Sequence, residues 1–366
     1  GLGDEGGGVG GRGRGDDAGA DGEVQAGGDL GPVVGRHRGA GARDGRLAGA
    51  MPLYLKSHSR GEYVFDWAWA DAYFRNGLEY YPKLLSAVPF SPVCGARILA
   101  KTADDRRALI AASLEMAQDV SSLHVLFPKP GEAALLEAAG AMLRRGVQFH
   151  WHNEGWPHFE AFLASLNQPK RKKIRAERRK VAQAGVSLRT LTGSEASARD
   201  WAFVERCYRH TYRAHGGTPY LNHGFFERLA ATMGEQVLLV IADRAGTPVA
   251  ATLSLFDAHT LYGRYWGAIE TIDSLHFEAC YYTPIAYCIA HGIARFEGGA
   301  QGEHKLARGF VPVRTTSLHW LAHPEFSAAV ARSLNRESHH VARYFDELHE
   351  HLPFRAHDKS PPTGET

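Results

Sequence analysis

In FEGGAQGEHKLARGF, residues 296–310, three glycines lead into Glu303, His304, Lys305 and Arg308, with a phenylalanine at each end. Glycine lets the backbone take positive φ and lets a ligand approach the main chain, and here it precedes an acid, an imidazole and an amine in consecutive positions. That combination suits acyl transfer to an amine, in which a base takes the ammonium proton and a cation steadies the oxyanion of the tetrahedral intermediate. Glu303 and His304 are the candidate bases. Lys305 and Arg308 supply positive charge for the oxyanion or for a substrate carboxylate or phosphate, and Gln301 joins Arg308 as a candidate substrate contact. The competing reading is a solvated loop with a few ion pairs, because charged runs usually face water.

A second polar group, His58, Glu62, Tyr63 and Asp66, falls on a stretch read as a strand, where alternate residues share a face, so that His58 and Glu62 point the same way. Acceptor binding is one reading; a structural hydrogen-bond network beneath Trp67 and Trp69 is the other. Tyr80-Tyr81 and Tyr281-Tyr282 each precede a proline, Pro82 and Pro284, expected to open a helix. Core packing accounts for one tyrosine of each pair and leaves Tyr81 and Tyr282 to line a cleft, with Arg264 as a further candidate contact.

Between residues 170 and 180, eight basic residues stand against the single acid Glu177. Such a row suits phosphates, with Lys172, Lys173, Arg178 and Arg179 as contacts to a nucleic acid or another anionic carrier. A solvated face anchored by Ile174 and Val181 is the alternative. His150 and His152, two apart on a strand, invite a zinc reading, but no third ligand has telling spacing among 20 histidines, and no metal is expected. Ser57, Ser59 and the cysteines lack a nucleophile-elbow pattern, which points to direct attack on the donor without a covalent enzyme intermediate.

The elements that must position these groups read as mixed α/β. Apolar strands are expected at 123–127, 147–150, 186–191 and 237–241, and helices at 104–118, 131–145, 199–215, 225–233, 284–296 and 324–349. Hairpin signals at Asp44-Gly45 and at 243–246 make the sheet mixed rather than parallel. ARDGRLAGAMPLYL (42–55) is echoed by ADRAGTPVAATLSLF (242–256), and the order of aromatic residues that follow is kept, which implies two copies of one α/β domain. The expected division is 42–165 and 166–355, the second part opening on a basic helix at 169–181. Residues 1–41, rich in Gly, Asp, Arg and Ala, read as a disordered or non-native segment, and 356–366 as a flexible tail.

The 366 residues are 44% hydrophobic and 22% charged with a formal net charge of +2, which gives the whole molecule no reason to seek nucleic acid or anionic membrane. Cys94, Cys207, Cys280 and Cys288 form no CxxC pair, and neither a membrane-spanning run nor a signal peptide is evident, so a cytoplasmic protein is expected.

The blocks KSHSRGEYVFDWAWADAY, YYPKLLSAVPFSPVCGARIL, FHWHNEGW, KRKKIRAERRKV and HFEACYYTPIAYCIAHGIARFEGGAQGEHKLARGF together resemble the FemAB-like branch of the GNAT acyltransferase superfamily, over residues 42–355. The resemblance implies tandem GNAT-like domains, with the second carrying most of the active site, and Lys305 and Phe310 beside the acceptor. It implies an N-acyl or aminoacyl transferase acting on an amine-bearing small molecule or peptide, peptidoglycan precursors included. A clean coenzyme A turn of the form Gln/Arg-x-x-Gly-x-Gly/Ala is missing; Arg144-Arg145-Gly146 and 298–302 match it only in part. The co-substrate therefore stays open between acyl-CoA and aminoacyl-tRNA, with tRNA as a candidate partner and no tightly bound cofactor. The reading from another class is a non-catalytic GNAT-fold protein that recognises such a ligand.

Overall fold

The computed structural model describes residues 32–34, 47–300 and 302–355. Its first part runs β1 (Pro32–Val34), β2 (Gly49–Ala50), β3 (Pro52–Lys56), α1 (Trp67–Arg75), β4 (Lys83–Ser86), β5 (Leu99–Ala100), α2 (Ala103–Ala117), β6 (Ser122–Leu126), α3 (Pro130–Ala138), β7 (Met142–His152) and α4 (Phe159–Ser165). The rest adds α5 (Gln168–Gln183), β8 (Val186–Thr192), α6 (Ala198–Ala214), α7 (His223–Met233), β9 (Val237–Arg244), β10 (Thr247–Phe256) and β11 (Thr260–Ala268). Then α8 (Leu275–Phe277) passes through a π-helical turn, Glu278–Tyr282, into α9 (Thr283–Ala290), followed by β12 (Arg295–Glu297), a 3₁₀ turn (Glu303–Arg308), β13 (Val311–Leu321) and α10 (Pro324–Glu350).

One mixed sheet takes eleven of these strands in the order β1-β3-β4-β6-β13-β7-β12-β11-β10-β9-β8. The mixed α/β class expected from the sequence is therefore observed. Sequence-local chemistry explains much of it. Ala245 and Gly246 both take positive φ, the requirement of a two-residue hairpin turn, and so β9 folds directly onto β10. Asn167 caps α5 by accepting from the Lys170 amide at 3.1 Å, and Ile174 and Val181, seven residues apart, bury one stripe of that helix.

The placement of β13 is not local. Although it follows β12 in the chain, it lies between β6 and β7 and pairs antiparallel with both. The sheet therefore does not part near residue 165: the late strand β13 is built into the early strands, while β7 is joined to the later ones through β12. Helix α10 packs across β7 and β13.

Four expectations are corrected. Residues 57–66 are turns and bends rather than a strand, so His58 and Glu62 share no strand face. Pro82 follows a cis peptide bond and leads into β4, not a helix. The helix expected over 131–145 ends at Ala138, where Gly140 at φ 94° turns the chain into β7. The helix expected over 284–296 ends at Ala290, before Gly292 at φ 66°, and its last residues belong to β12. Within 1–41, β1 pairs antiparallel with β3; the remainder of that stretch, the Asp44-Gly45 turn, Gln301 and 356–366 lie outside the described residues.

Candidate active site

β12 is three residues long and sits between two much longer strands. Arg295, Phe296 and Glu297 pair antiparallel with His152, Trp151 and His150 of β7, and parallel with Thr260, Leu261 and Tyr262 of β11. Beyond Glu297, residues 142–149 of β7 and 263–268 of β11 continue with no described strand between them. The sheet opens at the C-terminal end of β12. In sheets of this kind ligands enter at such strand ends.

The walls and roof of this opening come from both parts of the chain. A bulge in β11 makes Arg264 an additional residue opposite Leu253 and Ser254, and its guanidinium donates to the Phe90 carbonyl. On the other wall, the Gln148 amide of β7 donates to the Pro92 carbonyl at 2.9 Å. The segment 87–98, which joins β4 to β5, thus lies across the gap. Phe90 stacks on Tyr220 at 3.9 Å between ring centroids, and Gly61 opposite it has no room for a Cβ, which would fall 2.4 Å from the Phe90 ring. Tyr63, at φ 59°, lies beside Arg264, so the expected contacts Tyr63 and Arg264 come together here, from opposite halves of the molecule.

Glu297 closes the inner end of the opening. It is 4% exposed, and among the described residues none donates a hydrogen bond to either carboxylate oxygen. Its ion contact is Arg295 Nε at 3.3 Å. Burial outweighs that cation and, with the charge of Asp257, pushes the carboxyl up to about 7. His150, opposite Glu297, is pushed down to about 3 by burial, then by Arg295, His152 and Lys305, and is neutral at pH 7.

The 3₁₀ turn approaches the same strand end. A Cβ at Gly298 would lie 3.1 Å from the Phe310 ring and 3.4 Å from Lys305 Cε, so the lysine stem runs against bare backbone. The Lys305 ammonium, 2% exposed, donates to the Gly299 carbonyl at 2.8 Å, and burial lowers its pKa to about 7. Among the described residues no carboxylate pairs with it. At neutral pH it is divided between ammonium and amine, with N–H groups left over for a ligand.

The neighbours of Lys305 on the turn diverge. Glu303 is exposed and accepts from Tyr344 of α10 at 2.6 Å, on a cleft of about 500 Å³ shared with Lys170 and Glu347. It does not join Lys305. His304 Nε2 lies 2.9 Å from the Tyr281 hydroxyl, and loss of hydration, then Arg308, Lys305 and Lys173, lower its pKa. Arg308 is buried: it donates to the His304 carbonyl at 2.7 Å and to both Glu177 oxygens at 3.0 and 3.1 Å, with its guanidinium carbon 3.4 Å from the Phe277 ring centre. Tyr282 donates to the same Glu177. Arg308 and Tyr282, two of the residues expected to touch substrate, are bound into a buried clamp that ties the turn to α5.

The first-part candidates enter a different buried network. Lys83 donates to Ser59 at 2.7 Å, Glu62 at 2.8 Å and Asp66 at 2.5 Å. Lys56 stands 3.3 Å from Glu62, Tyr80 donates to Asp66 at 2.6 Å, and Tyr81 meets Ser59 at 2.8 Å. His58 accepts from the Arg60 amide at 3.2 Å. Glu62 and Tyr81 therefore serve this network rather than the opening at β12.

On α5, Lys172, Lys173 and Arg179 are exposed, and among the described residues none has an acidic partner. Arg178 is held by Glu278 at 3.0 Å and lies 4.6 Å over Phe159. Glu177 of the same helix grips the 3₁₀ turn through Arg308, and Lys173, one turn before Glu177, lies near enough to His304 to lower its pKa. Sequence reasoning passed over Glu297, Gln148 and Glu177. The signal for Glu297 was an acid directly before Gly298-Gly299. No group of three or more His, Cys, Asp or Glu among the described residues is arranged for a metal.

Searching the curated proteins finds no match. Among solved structures, FemX is 11% identical, covering 78% of this chain and 88% of its own, with a TM-score of 0.47. L-PGS from Bacillus licheniformis is 11% identical over 68% and 82%, TM-score 0.49, and a tandem GNAT protein from the clavulanic acid biosynthesis pathway is 16% identical over 77% and 81%, TM-score 0.38. The FemAB-like family model, described as peptidoglycan biosynthesis/recognition, matches residues 35–356 and so takes in the β12 opening, the Lys305 turn and α5 together; the chain belongs to the FemAB-like family.

Proposed function

We propose that this protein transfers an acyl or aminoacyl group from an anionic carrier, aminoacyl-tRNA or acyl-CoA, to the amine of a peptidoglycan precursor or related peptide. The observation that carries the reading is Lys305: a buried amine, unpaired with any described carboxylate, held by the Gly299 carbonyl at the strand end where β7 and β11 separate. A buried cation without a counter-ion is costly, and one placed at a sheet opening suits a site where negative charge develops only during reaction. In this reading the acyl carbonyl lies in the opening with its oxygen toward Lys305, and the carrier phosphates run along Lys172, Lys173 and Arg179. Arg308 and Glu177 hold the turn in place, a positioning role.

The test offers the purified protein tRNA charged with labelled amino acids, and separately labelled acetyl-CoA, together with a lysine-containing muramyl peptide. Label moving from one donor onto the peptide is the expected result. Retention of the peptide with no product from either donor would favour the non-catalytic reading and remove this one.

A further inference from the structure

Glu297 is an ionisable group at the β12 opening to which the reading above gives no part. Its carboxyl is buried at the end of the strand, with neither oxygen accepting a hydrogen bond among the described residues. Isolating a carboxylate in this way costs several kcal/mol. A structural acid would be expected to resemble Glu132, whose carboxylate accepts from the Arg97 and Ile98 amides, or Glu177, which is gripped by Arg308 and Tyr282. Among the described residues, Glu297 has the approach of Arg295 Nε at 3.3 Å, with no hydrogen bond between them.

We propose that Glu297 is the catalytic base that accepts the proton of the acceptor ammonium, and that the opening between β7 and β11, roofed by Phe90–Pro92, admits that amine. The proposal rests on the transferase reading and assigns its base. Register sets Glu297 beside His150 and Tyr262, and Arg295 Nε at 3.3 Å makes no hydrogen bond to it, so an incoming ammonium meets two carboxylate oxygens that accept from no described residue. Around it, Arg295 favours the carboxylate, Asp257 disfavours it, and His150 is neutral; Lys305 reaches the strand end along Gly298. Burial brings Glu297 near neutrality, the range in which a base is both available and strong enough.

The steps balance without a further reagent. Glu297 takes one proton from the ammonium, and the freed lone pair forms the C–N bond while the carbonyl electrons move onto oxygen facing Lys305. Collapse breaks the bond from the acyl carbon to the carrier oxygen or sulfur. The second N–H proton goes to that leaving atom, and Glu297 releases its proton to solvent.

The experiment compares wild type, Glu297→Gln and Glu297→Asp over pH 5 to 9 with the charged tRNA, acetyl-CoA and muramyl peptide probes. Glu297→Gln should lower kcat/KM by about 10² to 10⁴ and abolish the limb that rises through about pH 7, with KM for the donor little changed. Glu297→Asp, the control for folding, should keep part of the rate with the limb displaced. An infrared titration of the carboxylic acid band in ligand-free protein should show a component with a midpoint near 7 that Glu297→Gln removes. A Gln variant with wild-type rate and the same pH limb overturns the assignment while leaving transfer intact. Wild type inactive with both donors overturns the transferase reading, and the assignment with it.

Discussion

Each half of this protein buries a lysine, Lys83 at the start of β4 and Lys305 in the 3₁₀ turn after β12, and the two are surrounded in opposite ways. Lys83, 0% exposed, meets two carboxylates and a serine, and those carboxylates are met in turn by Lys56 and Tyr80. Lys305, almost as deeply buried, meets one backbone carbonyl. The first arrangement is neutral overall and largely satisfied, the form a structural buried network takes. The second leaves charge uncompensated beside glycines and at a gap in the sheet. Two lysines that look alike in sequence are thereby separated into a member of a charge-balanced network and a buried amine that no described carboxylate meets.

Replacing Lys83 should give the largest change. Lys83→Met leaves Glu62 and Asp66 buried without their shared cation, which costs about 3 to 5 kcal/mol of stability in urea unfolding at pH 7. Burial raises Asp66, but Lys83 and His124 outweigh it and hold the carboxyl below its ordinary 3.8. A depressed acid contributes stability above its unfolded pKa and loses it as pH falls, so the deficit of the variant should shrink below about pH 4. A deficit that persists unchanged at pH 3 would mean that packing, not charge, explains Lys83.

Lys305→Met should move stability the other way. The folded pKa of about 7 lies below the ordinary 10.5, so the folded state binds fewer protons than the unfolded chain between those values, and wild-type stability rises with pH across that window. The variant should therefore gain stability at pH 7, with the gain shrinking by roughly 1.4 kcal/mol per pH unit toward 10.5. Turnover should fall by about 10² to 10³, the scale of losing an oxyanion donor. A variant destabilised at pH 7 would place Lys305 in the same class as Lys83 and end the contrast.

How far the sequence reveals this contrast depends on how local its causes are. α5, α6, β9 and β10 are legible because caps, amphipathic spacing and a two-residue turn lie within the segments themselves. The glycines before Glu303 likewise announce a bent, charge-bearing turn around Lys305. The position of β13 between β6 and β7 follows from long-range pairing that leaves no periodic trace in 311–321. Glu62 and Glu297 each stand between a glycine and an aromatic residue, and only the fold supplies Lys83 and Lys56 to one and no hydrogen-bond donor among described residues to the other. Arg308 reads as a ligand-binding arginine until Glu177, 131 residues away, is seen to hold it.

The smallest effect concerns α5, where the same contrast recurs along one helix. Arg178 is paired with Glu278, whereas Lys172, Lys173 and Arg179 face solvent unpaired among the described residues. If those three meet carrier phosphates, each releases condensed counterions on binding, and log K falls with log salt by about 0.7 to 0.9 per contact. Binding of bulk tRNA measured between low and moderate salt should lose a slope of about 2 to 3 in the triple alanine variant. Arg178→Ala should leave the slope nearly unchanged and weaken the protein by up to about 1 kcal/mol, because its guanidinium is already committed and partly exposed. Equal slopes in wild type and the triple variant would show α5 to be a solvated face and would shift the donor from tRNA toward a carrier gripped elsewhere. A reduced slope with acetyl-CoA rather than tRNA as the productive donor would keep the phosphate contacts and change only the carrier they serve.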